Sequence, residues 1–167
     1  KRLVLKSTEE ASPFQRVLTF NDWCYNDETS EAGMESQEFQ AFHPVPEESP
    51  TLFVGFTDKF PETDTQIYIR LLEDLDIGTD RDLQEQSVAW EFWDGKDWQS
   101  LLPRDETRGM TRSGFIRFKG PKSLKKSQRF GTDLYWIRAR LEMGGYDLMP
   151  EVERILLNAV PARNATT

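Results

Sequence analysis

Three of the chain's five tryptophans and two candidate catalytic carboxylates crowd the stretch SVAWEFWDGKDW, Ser87–Trp98. Glycoside hydrolysis needs little more than two carboxyl groups about 5–10 Å apart across a cleft, and Glu91 and Asp94 are the pair that could supply them here. The competing reading makes Glu91 a surface residue on a strand and Asp94 part of a turn; it is the one adopted. Indoles also bind sugars, because the apolar C–H face of a pyranose packs on an aromatic ring. Trp93 and Trp98 suit that role better than Trp90, which shares a face with Val88 and Phe92. Other catalytic devices lack their parts. The single histidine, His43, stands before a proline-rich segment and far in sequence from any serine placed for a triad. The single cysteine, Cys24, lies in acidic surroundings, the opposite of the electropositive setting of a reactive thiolate. One cysteine also excludes an intrachain disulfide and a cysteine-based zinc site.

An acidic run from Asp74 to Glu85 partly mimics a calcium loop, with Asp74, Asp76, Asp80, Asp82 and Glu85 at positions 1, 3, 7, 9 and 12. Gly78 falls where a ligand is needed and Thr79 where the loop's glycine belongs. The run therefore reads as a solvated acidic loop that could take up Ca²⁺ adventitiously, and no cofactor is expected.

Charge is uneven. Residues before Ser87 carry 7 Lys and Arg against 19 Asp and Glu, and the remainder carries 14 against 10, for a net charge of −8. An acidic total disfavours nucleic acid, whose binding depends on phosphate neutralisation. The one basic run, Lys119–Arg129 (KGPKSLKKSQR), reads as a solvated loop that could meet phosphate or an acidic neighbour. Such polarity suits head-to-tail association with a partner of complementary charge. No apolar run approaches the roughly 20 residues of a membrane-spanning helix.

Period-two alternation places these residues on strands. Val88, Trp90 and Phe92 face one side of their strand and Ala89, Glu91 and Trp93 the other, with Asp94-Gly95 supplying positive-φ turn positions and Trp98 on the returning arm. Ile67, Ile69 and Leu71 share a face in QIYIRLL, as do Ile116 and Phe118 in the next strand. In LYWIRARL, Tyr135, Ile137, Ala139 and Leu141 oppose Leu134, Trp136, Arg138 and Arg140, with Trp136 beside or under the arginine stems. Short strands are expected at Arg2–Lys6, Phe14–Phe20, Phe39–Phe42 and Thr51–Phe56, the last with Gly55 marking a bulge. EVERILLNAV, Glu151–Val160, alternates well enough to be a strand despite its helical propensity. Asp22–Glu38 has no periodicity and reads as an irregular, exposed acidic arm. The fold class is all-β: an antiparallel β-sandwich, of which a jelly roll is one form. Residues 1–50 hold N-terminal strands, the acidic arm and a proline-rich linker; 51–167 hold the sandwich, and the two can form one domain. The opening Lys1 in place of Met suggests a piece of a longer protein.

The ordered set WEFWDG, Asp105-Glu-Thr107, Ser113-Gly-Phe-Ile-Arg-Phe118 and YWIRAR, preceded by LFVGFTDKF, resembles a segment of large baseplate assembly proteins. Those belong to contractile phage tails and extracellular contractile injection systems, and the similarity runs from about Thr51 to Val160. It implies a non-enzymatic scaffold domain whose partners are other baseplate or tail proteins. It would be located in the bacterial cytoplasm during assembly and then in the particle, and be monomeric when isolated. Because interface hot spots favour Trp, Tyr and Arg, the contact candidates are Trp93, Trp98, Trp136, Arg138 and Arg140. The alternative function is a carbohydrate-binding module using Trp93 and Trp98 for glycan attachment.

Overall fold

Alternating apolar side chains decide which side of each strand must leave water, and the chain meets that demand with two antiparallel sheets packed face to face. The computed structural model describes residues 4–6, 14–33, 37–43, 49–72, 87–143, 149–158 and 160–162. The candidate calcium ligands Asp74, Asp76, Asp80, Asp82 and Glu85 lie outside them. The elements in chain order are β1 (Val4–Lys6), β2 (Arg16–Asn21), β3 (Cys24–Asp27), α1 (Thr29–Gly33), β4 (Phe39–Gln40), β5 (Thr51–Phe56) and β6 (Asp64–Leu71). There follow β7 (Ser87–Trp93), β8 (Trp98–Ser100), β9 (Arg104–Asp105), β10 (Gly114–Lys119), β11 (Lys126–Arg129), β12 (Thr132–Met143), β13 (Glu151–Leu157) and β14 (Val160–Ala162).

The larger sheet runs β3-β2-β5-β12-β7-β8, with β11 added beside the start of β12. The smaller runs β4-β13-β6-β10-β9, and β1 pairs with β14 apart from both. Strands from the first 50 residues enter both large layers: β2 bonds to β5, and β4 bonds to β13. The inward faces match the alternation. Val17, Leu52, Val54, Trp90, Phe92, Ile137, Ala139 and Leu141 of the larger sheet meet Ile67, Ile69, Leu71, Ile116, Phe118, Val152 and Ile155 of the smaller in one buried cluster. Glu151–Leu157 is a strand, and a register shift between Val152 and Arg154 lets Val152 and Ile155, three apart, both point inward.

Three local expectations change. Part of the stretch expected to be an irregular arm forms regular elements: β3 forms a hairpin with β2, and α1 buries Ala32 completely. All four residues of β3 remain exposed, so this edge strand has no apolar alternation to betray it. Lys126–Arg129, expected within a loop, is strand β11.

Gly55 is the third, for it marks no bulge. Its strand keeps an unbroken register against β12, Trp136 facing Gly55 directly. A Cβ at Gly55 would come within 2.7 Å of the Trp136 ring and 2.8 Å of Leu134 Cδ1. The ring cannot readily retreat, because it is wholly buried and its Nε1 donates to the Ser127 carbonyl at 3.1 Å. Glycine is there because the indole and Leu134 come too close to the neighbouring strand to leave room for a Cβ. Gly55→Ala should therefore cost about 1–3 kcal/mol through overpacking, read as a lower denaturant midpoint at unchanged m-value. A neutral result would mean that Trp136 is loosely held.

Candidate functional site

The β7–β8 hairpin places Trp93 directly opposite Trp98, and the two rings meet edge to face with centroids 5.6 Å apart. Four residues, Asp94–Asp97, make the turn between them. Of the Asp94-Gly95 pair expected to adopt positive φ, Gly95 does so (φ 105°), whereas Asp94 is absent from the left-handed set. Asp94 closes the turn with its side chain instead: Oδ1 accepts the Lys96 and Asp97 N–H groups, each at 2.8 Å, and Oδ2 accepts Gln99 Nε2 at 3.0 Å. The backbone N–H groups of Asp97 and Lys96 hold the Asp94 carboxyl below its ordinary value.

Behind this hairpin, on the outward face of the larger sheet, Glu91 joins two arginines of β12. Arg138 Nε donates to Glu91 Oε2 at 2.6 Å, and Arg140 Nε and Nη2 reach the same carboxylate at 3.4 Å. Burial alone would raise the Glu91 pKa; hydrogen bonds and charge from Arg138 and Arg140 outweigh it and leave the carboxyl below its usual range. Glu91 and Asp94 are thus both held ionised. A glycosidic general acid requires the reverse, a carboxyl kept protonated near neutrality.

The arginines also occupy the indoles. Arg138 lies 4.3 Å from the Trp98 ring centroid, and Arg129 lies 4.1 Å from that of Trp93 and 5.1 Å from that of Trp98. A guanidinium thus lies over each of these two rings. The arginine stacking expected on Trp136 falls on Trp98 and Trp93.

Trp136 itself does not reach the surface: it is fully enclosed with Leu18, Phe53 and Leu134. Its cover comes from the β11–β12 hairpin, where Phe130 and Gly131 both take positive φ (51° and 77°) in a two-residue turn. That turn sets the Phe130 ring edge to face with Trp136 at 5.3 Å and with Phe53 at 5.3 Å. Trp136 supports the face from below, whereas Trp93, Trp98, Arg138 and Arg140 are partly accessible on it.

Rings continue across the sheet to its far edge. Tyr25 of β3 packs on Phe130 at 5.0 Å and Phe20 at 4.7 Å, and Trp23 meets Phe20 at 6.4 Å. Trp23 is 65% exposed and Tyr25 56%. Trp23 and Asp22 form the two-residue β2–β3 turn with φ of 61° and 50°, a conformation that costs a bulky residue roughly 1 kcal/mol. His43 Nδ1 lies 2.7 Å from Asp22 Oδ2, and Cys24 is exposed on the edge strand. Trp23, Tyr25, Arg129 and Phe130 were not among the contact candidates. Their faint signals are the aromatic spacing in FNDWCY and the Phe130-Gly131 dipeptide, which marks a hairpin turn once flanking strands are assumed.

Among the described residues no group of three or more His, Cys, Asp or Glu side chains could hold a metal ion. No described helix is long and apolar enough to cross a membrane. A scan against protein-family models finds no match to this chain, and a search of curated proteins finds none either.

Two measurements probe this surface. Trp23→Gly relieves the left-handed strain but gives up the ring's contacts, so the two effects should nearly cancel and leave stability within about 1 kcal/mol of wild type; a loss above that in chemical denaturation would make Trp23 structural. Glu91→Gln should cost about 1–3 kcal/mol at pH 7, because it weakens the hold on two partly buried arginines. The folded-state pKa of Glu91 is depressed, so its contribution is complete above the unfolded value of about 4.3 and fades as pH falls through the folded one. The gap between wild type and variant should therefore narrow below about pH 4.3; a gap independent of pH would exclude the ion pair as its source.

Proposed function

We propose that this chain is a protein–protein interaction module serving as a scaffold in a phage-tail-like baseplate assembly. The carrying observation is the outward face of the larger sheet, where contacting rings run from Trp23 at one edge to Trp93 at the other, with arginines among them. Its residue types are those enriched at interface hot spots, and its most exposed member, Trp23, sits in a left-handed turn at the sheet edge.

The resemblance to baseplate proteins supports the finer part of the reading, and the residues that carry it have framework roles. WEFWDG builds the tryptophan hairpin and YWIRAR supplies both faces of β12. Asp105 Oδ1 accepts the Thr107 N–H at 2.7 Å and its hydroxyl at 2.6 Å, while Thr107 Oγ1 accepts the Met110 N–H at 3.0 Å. Those bonds shape a loop that sends Met110 into the core with no exposed area. Ser113 Oγ accepts the Leu71 N–H at 3.0 Å and so ties that loop's end to β6. A resemblance concentrated in such residues suits a module whose task is to hold a shape.

The test is particle incorporation. Expressed in full length with the sheath, tube and spike genes of its own locus, the protein should co-purify with assembled tails. Trp23→Gly should lower its occupancy by about tenfold, the weight of one hot-spot residue, with thermal stability unchanged. Absence from purified particles would sink the reading. Glycan-array binding that Trp93→Ala and Trp98→Ala together abolish without unfolding the protein would replace it with the carbohydrate-binding alternative.

A further inference from the structure

Most strand arginines whose contacts are described face a carboxylate: Arg16 faces Asp27, Arg70 Glu153, Arg117 Glu106, and Arg138 and Arg140 Glu91. Arg129 is different. Its guanidinium lies over Trp93 and Trp98, no carboxylate pairs with it among the described residues, and its Nε is buried without a hydrogen-bond partner. Leaving a buried donor of a charged group unsatisfied is unfavourable, which asks for a reason. Contact with the two indoles repays part of that cost, but the ring faces offer no acceptor in the guanidinium plane.

A second basic residue stands beside the first. The Lys125 N–H donates to the Trp93 carbonyl at 3.0 Å, and its side chain lies against the hairpin tip, with Cγ 3.2 Å from where a Cβ on Gly95 would stand. Lys125 is exposed and has no ion pair among the described residues. The corner between the β7–β8 tip and β11 therefore combines a stacked guanidinium, an ammonium and two indole edges.

We infer that this corner, formed by Trp93, Trp98, Lys125 and Arg129, binds an acidic peptide segment of a partner protein, a carboxylate taking the fork of Arg129. The inference rests on the interaction-module reading and names that partner's chemistry. Charge complementarity carries it: the fork is already oriented by the rings, so little rotamer freedom is lost when a carboxylate arrives. An aliphatic side chain next to that carboxylate would find the indole edges. A nucleic acid fits less well, since two cations on a chain of net charge −8 do not make the extended basic track a phosphate backbone requires.

The probe is a fluorescein-labelled oligoglutamate peptide, followed by anisotropy and by intrinsic tryptophan emission, with the full 167-residue chain. Binding should shift the emission, because a carboxylate brings a negative charge beside both indoles, and should weaken as salt is raised. Arg129→Gln should lower affinity about tenfold or more, and Arg129→Lys should fail to restore it. Lys125→Gln, at an exposed site that leaves packing intact, should lower it several-fold, while Lys122→Gln, outside the corner, should not. The inference is overturned if oligoglutamate does not bind, if Lys122→Gln weakens binding as much as Arg129→Gln, or if an oligothymidylate of equal charge binds more tightly. Incorporation into tails without oligoglutamate binding would remove this inference alone; binding without incorporation would remove the baseplate assignment alone.

Discussion

Strand β12 must bury side chains on both of its faces, and much of the molecule's arrangement follows from that requirement. Ile137, Ala139 and Leu141 point into the gap between the sheets, while Leu134 and Trp136 point outward and are just as thoroughly covered. An ordinary sandwich strand leaves its outward face to water. Here an outward tryptophan with no exposed area needs a roof, and the same chain supplies it by folding β11 back through the Phe130-Gly131 turn. Clearance beneath the ring comes from Gly55 on β5, and the polar edge of the indole is satisfied by the Ser127 carbonyl. The outward face is thus a second, smaller core with a wet margin.

That margin is where charge and aromatic surface meet. Once Trp136 and Phe130 fill the centre, the residues farther along β12 and on the adjoining hairpin are too close to the covered area to be freely solvated. Arg138 and Arg140 sit at this boundary and are neutralised by Glu91, which β7 presents from the neighbouring position in register. The pairing does more for orientation than for stability, since two partly buried ion pairs recover little beyond their desolvation cost. Its consequence is a guanidinium held over Trp98, 4.3 Å from the ring centroid.

The inward side of the fold was legible because burial enforces strict alternation. Val88, Trp90 and Phe92, the Ile67–Ile69–Leu71 set, and Ile116 with Phe118 could be assigned to the core from spacing alone. The outward side was legible only in part, because its cover comes from elements with little pattern of their own. KSQR in β11 contains no apolar residue, and CYND in β3 is exposed throughout, so neither signals a strand until a partner is known to pair with it. Trp136 shows the effect clearly. Its neighbours Arg138 and Arg140 suggested an accessible amphipathic stripe, but what lies above an indole is decided by a hairpin whose return path the local sequence does not specify. Gly55 was misjudged for the same reason: a glycine kept free for a ring on the adjacent strand looks, in one dimension, like a bulge.

Turn chemistry separates the two ends of the aromatic face. At the β7–β8 tip, Gly95 takes the left-handed position and the Asp94 carboxylate satisfies the turn's N–H groups, so that end is built without strain. At the β2–β3 tip, Asp22 and Trp23 take two left-handed positions where Asn-Gly or Asp-Gly would be favoured. A tryptophan there exposes most of its ring and meets Phe20 edge to face. The strained turn presents an indole at the acidic edge of the sheet, while the relaxed one presents cations stacked on indoles at the basic edge. One face therefore carries two chemically different margins, an exposed indole beside the Asp22 carboxylate at one tip and guanidinium groups over Trp93 and Trp98 at the other.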